Sequence, residues 1–118
     1  MNKENPLVSV VMPAYNAEKY LSEAVESILN QTFKDFEFII IDDGSTDRTW
    51  EIIQEFSKKD KRIIALKNEK NLNIAESRNR GVEVARGSYI ATMDSDDVAI
   101  PDRLNYQYSF LESNSDIA

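Results

Sequence analysis

Two short runs constrain the fold more than any other part of the sequence: Leu7-Val8-Ser9-Val10-Val11-Met12, and the run from Phe36 to Ile41. Both are nearly all apolar and dominated by β-branched or aromatic side chains, as strands covered on both faces are. The residues that follow each run predict the cover. Leu21, Ala24, Val25, Ile28 and Leu29 recur at helical spacing as one apolar stripe. Thr49, Ile52, Ile53 and Phe56 do the same after the second run. Pro13 is expected to end the first strand, and Asn16 to cap the first helix with Glu18 in its first turn. Asp42-Asp43-Gly44-Ser45-Thr46-Asp47 breaks the second strand with turn and capping residues.

The alternation continues. Residues 58–62 form a charged connector, 63–66 a third and shorter strand, and 67–73 a polar loop. Residues 74–86 predict a helix with Val82 and Ala85 inward, stopped by Gly87 at its C′ position. Residues 89–93 predict a fourth strand. Pro101 suits the first turn of a last helix, with Asp102 beside it, and Leu104, Tyr108 and Leu111 give that helix an apolar side. The start, residues 1–6, is polar and expected to fray. Strands alternating with helices imply parallel pairing through right-handed crossovers: an α/β open, mostly parallel sheet with helices on both faces. In such sheets ligands sit beyond the carboxyl ends of the strands, where the strand order switches. Three strands end in polar or acidic loops, at 13–16, 42–45 and 94–97, so all three are expected on one edge.

Composition narrows the chemistry. With 118 residues the chain is read as one domain, near the lower end for an enzyme. A net charge of −7 argues against a general role on nucleic acid or anionic membrane. No run approaches a membrane span, and no signal peptide is expected at the start. Cysteine is absent, which excludes disulfides and thiolate metal sites within these residues and fits a reducing compartment. Histidine is absent too, so Ser-His and Cys-His nucleophilic pairs are excluded here, and any base is a carboxylate or lies elsewhere.

Asp94-Ser95-Asp96-Asp97 gathers three carboxylates with no basic residue among them. Burying them unpaired would cost several kcal/mol per charge. Either they lie at a solvated loop tip, or they hold a divalent cation against something anionic. Oxygen-only ligands of this kind suit Mg²⁺ or Mn²⁺, which share their coordination with waters and substrate phosphates.

Taken in order, six stretches resemble the nucleotide-sugar half of a family 2 glycosyltransferase of the GT-A fold, a Rossmann-like nucleotide-binding architecture. They are Val8-Ser9-Val10-Val11-Met12-Pro13-Ala14-Tyr15-Asn16, Ser27-Ile28-Leu29-Asn30-Gln31-Thr32-Phe33, Ile41-Asp42-Asp43-Gly44-Ser45-Thr46-Asp47, Ala75-Glu76-Ser77-Arg78-Asn79-Arg80-Gly81, Asp94-Ser95-Asp96-Asp97 and Pro101-Asp102-Arg103-Leu104. Each motif alone is loose; six in the family's order and spacing are specific, and residues 7–111 carry the resemblance. It implies that Pro13, Ala14 and Tyr15 line the uracil and ribose pocket, with Tyr15 offering an aromatic face to the base. Asp43 would accept from the uracil N3–H, a contact that cytosine cannot make. Arg78 would meet the base or the diphosphate, Asp94 the ribose or the metal, and Asp96 the Mn²⁺ or Mg²⁺ ion that bridges the diphosphate. Asp97 could instead begin the next turn, and Asp42 is equally open to turn chemistry and a site role. For each of these residues the plainer reading is structural: a strand-end aromatic for Tyr15, a helix cap for Asp43, a solvated helix arginine for Arg78.

The implied reaction is inverting transfer of a sugar from a UDP- or dTDP-sugar to a hydroxyl on a glycan or lipid-linked acceptor, on the cytoplasmic side or the inner face of the membrane. The acceptor half and the carboxylate general base would follow Ala118, so the 118 residues are expected to form the donor-binding part of a longer enzyme. Family members often have glycine near Asn73, and asparagine tolerates left-handed backbone better than most residues. Two rival classes have different requirements. A phosphoacceptor receiver domain would place an acid pair after the first strand, where this chain has Pro13-Ala14-Tyr15. A non-catalytic nucleotide-binding or interaction module would bind nucleotide without transferring sugar.

Overall fold

The structure, a computed structural model, describes residues 5–113. The expected fraying of residues 1–4 and the final residues 114–118 lie outside them. Four strands form one parallel sheet in the order β3-β2-β1-β4: β1 Val8–Ala14, β2 Phe36–Asp42, β3 Ile63–Lys67 and β4 Tyr89–Thr92. Helices α1 Leu21–Leu29, α2 Thr49–Lys59, α3 Ile74–Val84 and α4 Arg103–Ser113 alternate with them. Every residue of β1 and β2 is buried, which explains their unbroken apolar character.

The two faces differ in depth. On one, Val10, Met12, Phe38 and Ile40 meet Leu21, Val25 and Ile28 of α1, Ile53 of α2 and Leu104 of α4. Each such side chain contributes about 1.5–3 kcal/mol on burial. On the other face Val11, Ile39 and Ile41 form a thin layer under α3. There α3 approaches so closely that a Cβ on Gly81 would stand 2.6 Å from Val11 Cγ1 and 2.7 Å from Ile41 Cδ1. Only small side chains fit, so Ser77 and Gly81 are buried while Val82 is 39% exposed, against the expectation that Val82 points inward.

Three further local expectations are corrected. Pro13 does not end β1, which runs to Ala14 with Pro13 opposite Ile41. Its missing N–H is harmless because Val11 gives the last carbonyl on the β4 side, to Met93 N–H, and β4 pairs no further than Thr92. Gly87 is not the C′ residue of α3, which ends at Val84 with Ala85 already extended. Gly87 is needed for space: its N–H donates to Ser9 Oγ at 2.8 Å, and a Cβ would lie 2.6 Å from Ser9 N. Asn16 does not cap α1, whose first turn closes on the Ala17 carbonyl; it adopts φ +48° and serves the neighbouring loop instead.

Candidate donor-nucleotide site

Strand β1 has β2 and β3 on one side and β4 on the other, so the strand order switches between β1 and β4. The loops leaving β1, β2 and β4 meet there, with the loop before α3, around a cleft of about 740 Å³. Pro13 and Tyr15 line it from β1, Asp43 from β2, Asn71 and Asn73 from the loop before α3, and Asp94 and Asp96 from β4. Five of the residues singled out in the sequence therefore share one wall. Ala14 is buried beneath it, opposite Asp42, and Arg78 reaches its edge. A second groove, between β4 and α4, is mostly apolar and bordered by Ile90, Tyr106 and Phe110; it holds none of the strand-end acids.

The acid cluster stands in solvent. Asp94, Asp96 and Asp97 are all exposed, and one carboxylate oxygen from each lies within 4.8 Å of the others. A turn closed by Asp97 N–H on the Asp94 carbonyl at 3.1 Å brings them together. The charged partner seen beside them is Arg78, whose Nη2 is 3.9 Å from Asp94 Oδ1. Three hard oxygen donors on a short turn, open to water on one side, fit a Mg²⁺- or Mn²⁺-type ion that keeps waters and shares its ligands with phosphate. Arg78 also carries a buried Nε without a hydrogen-bond partner.

Asp43 is built differently. It is 1% exposed, and its carboxylate accepts from Leu72 N–H at 2.7 Å, Asn68 Nδ2 at 3.0 Å and Asn73 N–H at 3.0 Å. Burial pushes its pKa up, but the hydrogen bonds from Leu72, Asn68, Asn73 and the Ser77 hydroxyl outweigh it and hold the carboxyl below its ordinary value. An ionised acceptor is thereby fixed at the cleft wall. Asp42 next to it faces inward: it is fully buried, its Oδ1 accepts from Ser45 N–H at 3.3 Å, and its Oδ2 has no partner.

The rest of the 44–49 segment serves the β1 loop. Asn16 N–H donates to Ser45 Oγ at 2.9 Å, and Thr46 N–H returns a bond to Asn16 Oδ1 at 2.8 Å. Ala17 N–H donates to Thr49 Oγ1 at 2.8 Å, while Asp47 accepts from Thr49 and from Glu18 N–H. These bonds hold the segment that carries Tyr15, which remains 44% exposed. Ser27, Gln31 and Thr32 have a matching task. Gln31 is fully buried and donates to the carbonyls of Ser27 (3.1 Å) and Ile100 (2.6 Å), while its Oε1 accepts from Leu104 N–H (2.9 Å). Ser27 Oγ takes Ala99 N–H, and Thr32 Oγ1 donates to Asp102. They moor the chain that follows the acid cluster. Sequence reasoning quoted both stretches but missed these roles, as it missed Asn68; the decisive partners are remote, Asp43 lying 25 residues from Asn68 and Leu104 lying 73 residues from Gln31.

The fold is that of the GT-A glycosyltransferases: S. aureus TarS, residues 1–349 in complex with UDP, superposes with a TM-score of 0.82 at 31% identity, over 90% of this chain and 32% of that one. The profile of glycosyl transferase family 2 matches residues 9–118, and the chain belongs to that family. An uncharacterised glycosyltransferase of Methanocaldococcus jannaschii is 55% identical over 116 residues, 97% of this chain and 40% of the relative. An Escherichia coli protein named UDP-Glc:alpha-D-GlcNAc-diphosphoundecaprenol beta-1,3-glucosyltransferase WfaP is 44% identical over 107 residues, 91% of this chain and 42% of that protein. The chain thus spans less than half the length of these relatives.

Proposed function

We propose that these residues form the donor-nucleotide part of a glycosyltransferase that moves a sugar from a UDP- or dTDP-sugar to a hydroxyl on a glycan or lipid-linked acceptor, with inversion and with a divalent cation. The observation that carries this reading is the meeting of a fixed, ionised Asp43 with Asp94 and Asp96, two of an exposed carboxylate trio, across one cleft at the strand-order switch. Tyr15 offers its ring to the base, with Pro13 and Ala14 shaping the floor. Asp43 Oδ2 accepts from Asn73 N–H, Oδ1 accepts from Leu72 N–H and Asn68, and the rotatable Ser77 hydroxyl also bonds the carboxylate; the proposed contact with the uracil or thymine N3–H is at Oδ2. Asp96 and Asp94 hold the cation, and Arg78 balances Asp94 at the diphosphate end. When bound, Mn²⁺ or Mg²⁺ neutralises charge that develops on the diphosphate leaving group. In the proposed enzyme a carboxylate general base outside the described residues takes the proton of the attacking hydroxyl. TarS in complex with UDP and the UDP-glucose donor in the WfaP name support a uridine nucleotide. The WfaP acceptor name supports a lipid-linked acceptor, and the proposed setting is the cytoplasmic face of a membrane. No helix among the described residues is long and apolar enough to cross one.

Calorimetric titration of UDP into the chain, with Mn²⁺ and then with EDTA, tests the reading. Binding is expected to require the metal and to fall at least tenfold in Asp96→Ala. Metal-independent binding would keep the nucleotide site and remove the acid cluster from it. Binding without sugar transfer by a longer form of the protein would favour a non-catalytic nucleotide-binding module.

A further inference from the structure

The network behind Asp43 extends away from the cleft. Asn68 is 4% exposed and is not part of the cleft wall, yet every polar atom of its side chain is engaged. Its Nδ2 donates to Asp43 Oδ1 at 3.0 Å and to Ser77 Oγ at 2.9 Å, and its Oδ1 accepts from Arg80 Nη1 at 2.6 Å. Its backbone N–H is spent on the Asp42 carbonyl at 2.8 Å. The carboxamide can take only this orientation, since a flip would set its oxygen against the Asp43 carboxylate and its NH₂ against a guanidinium. Arg80, also bonded to the Lys67 carbonyl at 2.8 Å, closes the chain at the surface.

We propose that Asn68, held by Arg80, is a positioning residue for base selection: it occupies Asp43 Oδ1 together with Leu72 N–H, and so directs a base N–H to Oδ2. The inference rests on the reading that Asp43 meets the base. Without Asn68 the carboxylate loses one of its four donors, and the Ser77 hydroxyl loses the partner that orients it, so the acceptor direction at Oδ2 is less fixed. An unfixed carboxylate still binds a diphosphate nucleotide, but discriminates less between uracil, which offers an N3–H, and cytosine, which offers a lone pair there.

The test is the ratio of UDP to CDP affinity, measured with Mn²⁺ for wild type, Asn68→Ala and Arg80→Ala, with thermal melts alongside. Wild type is expected to prefer UDP. Asn68→Ala should narrow that preference about tenfold and Arg80→Ala about two- to threefold, with CDP affinity changed by no more than about twofold. A purely structural role would lower the melting temperature and weaken both nucleotides alike, leaving the ratio unchanged; that result overturns the proposal. Should Asn68→Ala fail to fold, the ratio in Arg80→Ala decides, because that change removes only the surface anchor. A wild type that binds UDP and CDP equally would instead overturn the assignment of Asp43 to the base.

Discussion

At the scale of single residues, Asn73 shows how a site can rest on a strained backbone. It adopts φ +103° and ψ 165°, a region that is nearly glycine's own and costs on the order of 1–3 kcal/mol for other residues. Two bonds depend on the strain: Asn73 N–H donates to Asp43, and Asn73 Oδ1 caps α3 by accepting from Glu76 N–H at 2.9 Å. Glycine keeps the first bond, releases the strain and gives up a cap that costs only a few tenths of a kcal/mol relative to glycine. Asn73→Gly is therefore expected to stabilise the chain by about 1 kcal/mol, and Asn73→Ala to destabilise it by about 1–2 kcal/mol, as read by urea denaturation. A glycine variant less stable than wild type would show that the cap outweighs the backbone. The sequence made the turn visible through Asn73, but could not display its dihedral or the acid it serves.

At the scale of elements, the strands and the α1 stripe were legible because their signal is local. Val10, Met12, Leu21 and Val25 are buried where their spacing says. The inward face of α3 was misjudged because its choice depends on distance to the sheet, and the apolar Val82 loses to Ser77 and Gly81 where backbones nearly touch. Glu37 was hidden inside an apolar run for a related reason. It is 3% exposed and satisfied by Ser9 Oγ (2.6 Å), Arg86 N–H (2.7 Å) and Arg86 Nε (3.1 Å), partners supplied by other elements. Gln31 makes the same point between α1 and α4. Removing its side chain strands the buried Leu104 N–H, worth about 1–3 kcal/mol, takes a bond from the part-buried Ile100 carbonyl and leaves a cavity where Gln31 was fully buried. Gln31→Ala is expected to cost about 3 kcal/mol in urea denaturation and to raise amide exchange at Leu104. Gln31→Glu, which sets a buried carboxylate against the Ser27 and Ile100 carbonyls, should cost at least as much as Gln31→Ala at neutral pH. Equal exchange at Leu104 in wild type and Gln31→Ala would mean that α4 is held by apolar packing alone.

At the scale of the whole molecule, the gathering of scattered acids on one edge followed from topology, so the cleft was readable before any geometry. What topology could not show is that the acids divide into two kinds. Asp94, Asp96 and Asp97 stand in water at the loop tip, while Asp43, Asp47 and Asp60 are built into joints between elements. All three of the latter titrate below their ordinary value. For Asp43 and Asp47 burial acts upward but is outweighed by hydrogen bonds, from Leu72, Asn68 and Asn73 in one case and from Thr49 and Glu18 in the other. For Asp60 the leading cause is the Arg62 guanidinium, which bonds it at 2.9 Å and 3.1 Å. A depressed folded-state pKa gives stability that is fully present above the unfolded value, about 3.9, and is lost as pH falls through the folded one. Folding stability from urea denaturation should therefore be level from pH 7 to about pH 5 and decline with a positive slope below about pH 4. Repulsion within a chain of net charge −7 works the other way on acidification, but salt at 0.15 M screens charges beyond about 8 Å, whereas the bonded carboxylates are in direct contact with their donors. The decline should then persist in salt and become shallower in Asp47→Asn, which removes one titrating joint. An unchanged slope in that variant would assign acid unfolding to the remaining carboxylates and mean that Asp47 titrates alike in the folded and unfolded chain.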